Sequence, residues 1–196
     1  MKSITELKGK HNGTPIVIIG GGEFVIQELY MLFGTIIPGC IFISANEHGY
    51  KLNLSMVKPD YFCFVKSHNE SPNLMPYIKD PQGAVRICKV EEQYSDYKVD
   101  IPVALRGFTG HFATWLASYL TDSDIILCGF DCYSGEKPYY DDRKNEMMTR
   151  FPLDNHLRQW EICKNGHSIK QRTTFINPDR IYSVSGPLTS IFKQWK

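Results

Sequence analysis

The sequence predicts a single α/β domain, a mainly parallel sheet with helices on both faces. Three observations carry this. Apolar runs such as Ile16-Val17-Ile18-Ile19 and Tyr61-Phe62-Cys63-Phe64-Val65 show no polar alternation, which suits strands covered on both sides. Helix-patterned segments separate these runs, and that order indicates layered α/β architecture. At 196 residues and 42% hydrophobic composition the chain has the size of one domain, residues 1–196, with a substantial core and an ordinary folded composition.

The elements follow in order. The run from Ile16 to Ile19 ends in Gly20-Gly21-Gly22, and Glu23 to Phe33 places Phe24, Ile26, Leu29, Met31, Leu32 and Phe33 at rough helical spacing: strand, glycine turn, helix. Cys40 to Ile43 is a second strand ending at Ser44-Ala45-Asn46, and Tyr61 to Val65 is a third, after the turn signal Lys58-Pro59-Asp60. Val85 to Val90 reads as another. Thr109 to Leu120 is a helix with Phe112, Leu116 and Tyr119 on one face, and Ile125 to Cys128 is a strand running into Gly129-Phe130-Asp131. The polar, aromatic stretch from Cys132 to Asn155 is predicted as a mobile or functional loop, because loops of that length within a domain usually have a role. A short helix over His156 to Lys164, a last strand from Arg180 to Val184 and a tail helix holding Phe192 and Trp195 complete the chain.

Charge and cysteine content narrow the setting. The chain has 22 Lys+Arg against 21 Asp+Glu, net +1, which by itself gives no case for non-specific nucleic-acid binding. That sum conceals two unlike parts. Residues before Cys132 carry 11 basic and 14 acidic side chains, net −3, and the remainder 11 and 7, net +4. Six cysteines, at 40, 63, 88, 128, 132 and 163, form no CxxC and read as thiols in a reducing compartment. No apolar run is long enough for an export signal or membrane span, so a cytoplasmic protein without a membrane partner is expected.

In an α/β sheet, ligands bind at the carboxyl ends of the strands. Gly20, Gly21, Gly22, Asn46, Lys66 to Asn69, Asp131 and Tyr133 all fall at such ends. The glycines either cradle a phosphate with the following helix N-terminus or simply form a tight turn. Neither GxGxxG nor a P-loop is present, and Glu23 would repel a phosphate. Asp122-Ser123-Asp124 resembles a DxD metal motif but lies before its strand and reads as a turn and cap. Asp131 is a functional acid or a brace for a neighbouring loop, and Asp141-Asp142 is an ion site or a solvated pair. Cys and His residues never fall at zinc-ligand spacing. His111 either reaches the cleft or packs in the core, and at His156 a histidine, whose unperturbed pKa is about 6.5, could act as a general base.

Taken in order, IVIIGGGEF, ISANEHG, KPDYFCFVKSHN, FTGHFATWLASYL, DIILCGFDCY, a polar aromatic loop with a late histidine, and IYSVSGPL resemble one superfamily. It comprises the small bacterial sialyltransferases, which open with a GNGPSL-type motif, and the MptE-like 6-hydroxymethylpterin diphosphokinases. The resemblance runs from Ile16 to Leu188 and implies a Rossmann-like, GT-A-variant-like domain. It implies that Gly20, Gly22 and Asn46 hold a nucleotide, that Thr109 and Gly110 line the donor pocket, and that Gly129, Asp131 and Tyr133 form its G-x-D-x-Y strand end. Tyr139 or Tyr140 would hold the leaving phosphate, and His156 would be the general base. The chain also departs from the pattern. Glu23-Phe24 replace Pro-Ser, which argues for a donor other than a CMP sugar, and Lys66 stands near the acid of the kinase-like branch, which argues against that branch.

The expected function is an inverting glycosyltransferase. His156 deprotonates an acceptor hydroxyl, which attacks the anomeric carbon of a nucleotide sugar, while Tyr139, Tyr140 and helix N-terminal amides stabilise the departing phosphate. The nucleotide sugar is a co-substrate, and the need for a divalent metal is left open. Basic residues interleaved with Trp160, Phe175 and Trp195 either form a solvated face or track a polyanion. The second case would make the acceptor duplex DNA, with a hydroxymethylated base of the phage type flipped into the pocket. Two alternatives are an ATP-dependent pterin-type diphosphokinase and a non-catalytic nucleotide-binding protein.

Overall fold

A computed structural model describes residues 1–34, 39–52, 54, 57–65, 73–90, 92–100, 108–134, 139, 152–165 and 175–196. The β-branched runs form the expected strands. β1 (Lys2–Ser3) and β6 (Tyr97–Lys98) make a small parallel pair, and the main sheet contains β2 (Ile16–Ile19), β3 (Ile41–Ala45), β4 (Tyr61–Phe64), β5 (Val85–Cys88), β7 (Ile125–Cys128), β8 (Ile181–Ser183) and β9 (Lys193–Gln194). Its order is β5-β4-β3-β2-β7-β8-β9 and every pairing is parallel. The chain therefore moves outward from β2 to β5 and then returns to β7 on the other side of β2. That reversal defines a topological switch point at the carboxyl end of β2, the place where such sheets bind ligands.

Helices cover both faces, and the domain is an α/β fold of the Rossmann-like kind. Each central strand feeds two cores. Ile16, Ile18, Ile125 and Leu127 face the side covered by α4 (Thr109–Leu120) and α5 (Leu153–Asn165), and Val17, Ile19, Ile126 and Cys128 face α1 (Val25–Phe33). Phe62 and Phe64 of β4 pack with Leu74 and with Ile78 of α3 (Met75–Lys79). A single-turn helix, α2 (His48–Lys51), follows β3. Among the described residues no helix is long and apolar enough to cross a membrane, and all six cysteines are free thiols.

Three differences from expectation stand out. α4 is buried from His111 to Leu120 on every side, because the N-terminal segment lies over its end through Gly9 N–H to Tyr119 O and His11 N–H to Leu120 O. That segment is organised by a capping box in which Ser3 and Glu6 bond each other's backbone amides at a 3₁₀ turn, Ile4–Leu7. The predicted tail helix is instead a 3₁₀ turn at Pro187–Ser190 followed by β9; the open edge of β8 offers backbone partners, and Trp195 N–H donates to Ser183 O. Finally, α5 begins at Leu153, so the predicted loop ends three residues sooner. Residues 135–138 and 140–151 of it lie outside the described residues, as do Lys66 to Asn69.

Candidate functional site

One cavity of about 250 Å³ opens at the switch point. Gly20, Gly21 and Gly22 reach it from the end of β2, Asn46 from β3, Gly129, Asp131 and Tyr133 from β7, Thr109 and Gly110 from the start of α4, and His156 from the first turn of α5. Tyr139 also lines it. Tyr140 and the acidic pair Asp141-Asp142 fall outside the described residues, and Asp122-Ser123-Asp124 is a turn at the opposite end of the sheet, where Asp122 accepts the Gly13 amide at 2.7 Å.

The glycine turn is closed on itself. Gly20 N–H donates to Cys128 O, Gly22 N–H to Gly129 O, and Glu23 N–H to the Asp131 carboxylate at 2.7 Å. These amides are engaged within the fold, which supports the tight-turn reading over the phosphate cradle. The missing side chains serve close approach. A Cβ on Gly22 would lie 2.7 Å from Asp131 Oδ2, and one on Gly21 would collide with the imidazole of His48.

Asp131 is the brace of this arrangement. Its Oδ2 holds Glu23 N–H and its Oδ1 accepts Tyr133 N–H at 3.0 Å. The second bond secures a turn in which Cys132 and Tyr133 both adopt left-handed φ, 53° and 61°, a conformation costly for a bulky residue. Asn46 is left-handed too, at φ 57°. Five non-glycine residues with positive φ occur among the described residues, and three of them line this cavity, the kind of clustering seen where surrounding structure is organised around a site. Burial pushes the Asp131 carboxyl above the usual range, against the pull of its two amide bonds.

The polar wall is built from β3 and α4. Thr109 Oγ1 donates to Asn46 Oδ1 at 3.0 Å, joining the end of β3 to the first residue of the helix. Phe108 occupies the cap position and provides no side-chain cap, so the first amides of α4 have no intrahelical partner. They are donors at the positive end of a twelve-residue helix, beside the cavity, and suit an anion.

Three histidines line the cavity. His156 is buried, tilted on Phe108 at 5.1 Å and edge-on to Tyr133 at 5.2 Å. Burial lowers its pKa, so the ring is neutral near pH 7, the state a base requires. His111 both reaches the cavity and packs. It is 1% exposed, neither ring nitrogen has a hydrogen-bond partner among the described residues, and burial drives its pKa down to about 3. Leaving such a group unpaired costs about 1–3 kcal/mol, an unusual feature in a native fold.

Sequence reasoning did not single out His48, Glu28 or the aromatic wall. His48, in the first turn of α2, sits over Gly21 and stacks on Tyr139 with ring centroids 5.4 Å apart; its signal was its place two residues after Asn46. Glu28 interrupts the apolar stripe Val25, Leu29, Leu32 on α1. Its carboxylate accepts Gly129 N–H at 2.5 Å and the Ser185 hydroxyl, and burial raises its pKa. An acid inside an apolar stripe was the available clue. Phe108, Phe130 and Trp160 also line the cavity. Among the described residues no three His, Cys, Asp or Glu side chains cluster as a metal site, and no lysine or arginine lines the cavity.

Compared with known proteins, the chain matches no family model, no curated protein and no solved structure.

Proposed function

We propose that the protein is an inverting glycosyltransferase that binds a nucleotide sugar across the strand ends and activates an acceptor hydroxyl with His156, in a reducing cytoplasm. The observation that carries this reading is the meeting of three features on one cavity: the Asn46–Thr109 clamp, the start of α4, where Phe108 adds no side-chain cap, and a His156 whose pKa burial lowers. The phosphates would lie at the α4 amides, because the amides of Gly20, Gly22 and Glu23 are already bonded within the fold. Tyr133 and Tyr139, whose hydroxyls lie 3.4 Å apart, would donate to the departing phosphate, as preorganised donors do where charge develops. His156 Nε2 or Nδ1 takes the acceptor proton as the C–O bond forms and the nucleotide leaves.

A thermal-shift and turnover screen over CMP-, UDP- and GDP-sugars, with ATP and a pterin as contrasts and with and without magnesium, tests this. Stabilisation by a nucleotide sugar with release of free nucleotide is expected. Response to ATP and pterin alone would replace the reading with the diphosphokinase one. For the acceptor, the +4 excess after residue 131 supports duplex DNA carrying hydroxymethylated bases. Affinity for such DNA that falls steeply between low and moderate salt is expected, and no affinity at low salt would remove that acceptor.

A further inference from the structure

Glu28 is a buried carboxyl, 5% exposed, on a helix face that is otherwise aliphatic, shared with Val25, Leu29 and Leu32. A leucine would continue that stripe, and burying a carboxyl costs stability. What the acid provides instead is contact with two other elements. Its Oε2 accepts Gly129 N–H at 2.5 Å, one residue past β7, and its Oε1 accepts the Ser185 hydroxyl, two residues past β8. Ser185 is itself held by Ser183, whose hydroxyl donates to Ser185 O at 2.9 Å. One side chain thus joins α1 to the carboxyl ends of two strands.

Gly129 is the first of five consecutive residues, Gly129 to Tyr133, that line the cavity. Its N–H donates to Glu28 and its carbonyl accepts Gly22 N–H, so both of its backbone polar groups are fixed from outside β7. Its φ is 75°, and a Cβ on it would lie 2.7 Å from Val25 Cγ2. The backbone is therefore pressed against α1 at the point where Glu28 reaches it. Asp131 and Tyr133 follow two and four residues later.

We propose that Glu28 is a positioning residue: its carboxylate holds the Gly129 amide so that the turn to Tyr133 keeps the shape a ligand meets. Its consequence for binding rests on the nucleotide-sugar reading above, whereas the positioning does not. The role is one of hydrogen-bond geometry rather than charge. A glutamine carbonyl can accept the Gly129 amide while its NH2 group donates to the Ser185 oxygen, so Glu28→Gln should behave as the native chain and Glu28→Leu should not.

Amide hydrogen exchange followed by NMR on the full chain tests the positioning. In Glu28→Leu the amides of Gly22, Glu23 and Tyr133, bonded within and across the turn, should exchange about tenfold faster, the effect of one lost hydrogen bond on a local opening. Amides of the β2–β3 ladder, which open with the whole domain, should keep their native rates. Calorimetric titration with UDP-glucose and GDP-mannose should show about tenfold weaker binding by Glu28→Leu and native binding by Glu28→Gln. Glu28→Ala serves the same comparison if the leucine variant does not fold. Equal acceleration at the turn and in the ladder, no acceleration at either, or failure of both the leucine and alanine variants to fold overturns the proposal. So does a glutamine variant as impaired as the leucine one, or native binding by Glu28→Leu. If the native chain binds neither nucleotide sugar, the donor reading falls and the exchange rates still decide the positioning.

Discussion

The Asp131 carboxylate accepts the backbone amide of Glu23 at 2.7 Å, tying the turn after β7 to the glycine turn after β2 across the mouth of the cavity. Two partly buried amide bonds meet on this one side chain. Asp131→Ala should therefore cost about 2–4 kcal/mol in urea denaturation, with Asp131→Asn in between, since an amide matches one donor and opposes the other. A near-neutral alanine variant would mean that the brace contributes nothing.

His156→Ala should lower turnover by about 10²–10⁴-fold with nucleotide-sugar affinity nearly unchanged, as expected for a group acting in the transition state. Steady-state kinetics beside a binding titration separate the two effects. A variant with full turnover would remove His156 as the base.

Gly21→Ala should destabilise the fold by about 1–3 kcal/mol, because its Cβ and the His48 ring would claim the same space. The double variant with His48→Ala should recover most of that loss. Denaturation of the four proteins of the cycle measures the coupling, and simple additivity would show that the two residues do not meet.

The pH dependence of stability isolates His111. Its pKa is about 3 in the folded protein against an ordinary 6.5. Between those values the unfolded chain binds a proton that the folded protein does not, so His111 makes stability fall as pH drops through 6.5 towards 3. Buried Asp131 and Glu28, both shifted upward, act with the opposite sign. Comparison with His111→Phe cancels them. The variant's stability advantage should widen from about pH 7 to about pH 4, and a constant gap would show a histidine that titrates normally.

The Thr109–Asn46 bond should give a coupling of about 0.5–1.5 kcal/mol in a cycle of Asn46→Ala and Thr109→Val. The same variants should weaken nucleotide binding together rather than separately. Independent effects on both readouts would leave the clamp without a role.

Unbroken apolar runs made the central strands legible in the sequence, because a strand covered on both faces leaves a local signature. So did the placing of Gly20, Asn46, Gly129 and His156 at strand ends or helix starts, since sheet topology dictates where those ends converge. Long-range contacts left no such trace. Whether Asp131 was a reacting group or a brace depended on which amides it met, Glu23 being 108 positions away. β9 depended on a free edge of β8, and the burial of α4 on all sides depended on the N-terminal segment folding over it. His48 was hidden for the same reason, since only the folded chain brings it over Gly21.

β2 is apolar at all four positions, with Ile16 and Ile18 in one core and Val17 and Ile19 in the other. In a sheet with one wet face, a one-residue slip would be opposed by the polarity of the side chains it exchanges. Here a slip of β2 would trade one buried aliphatic for another, so hydrophobicity gives little protection against misalignment. What distinguishes the correct register is the strand's end, where Gly21 must pass under His48 and Gly22 beside Asp131. The turn that shapes the ligand cavity thus also serves as the alignment mark of the sheet, and variants there should show slow or heterogeneous refolding as well as altered binding.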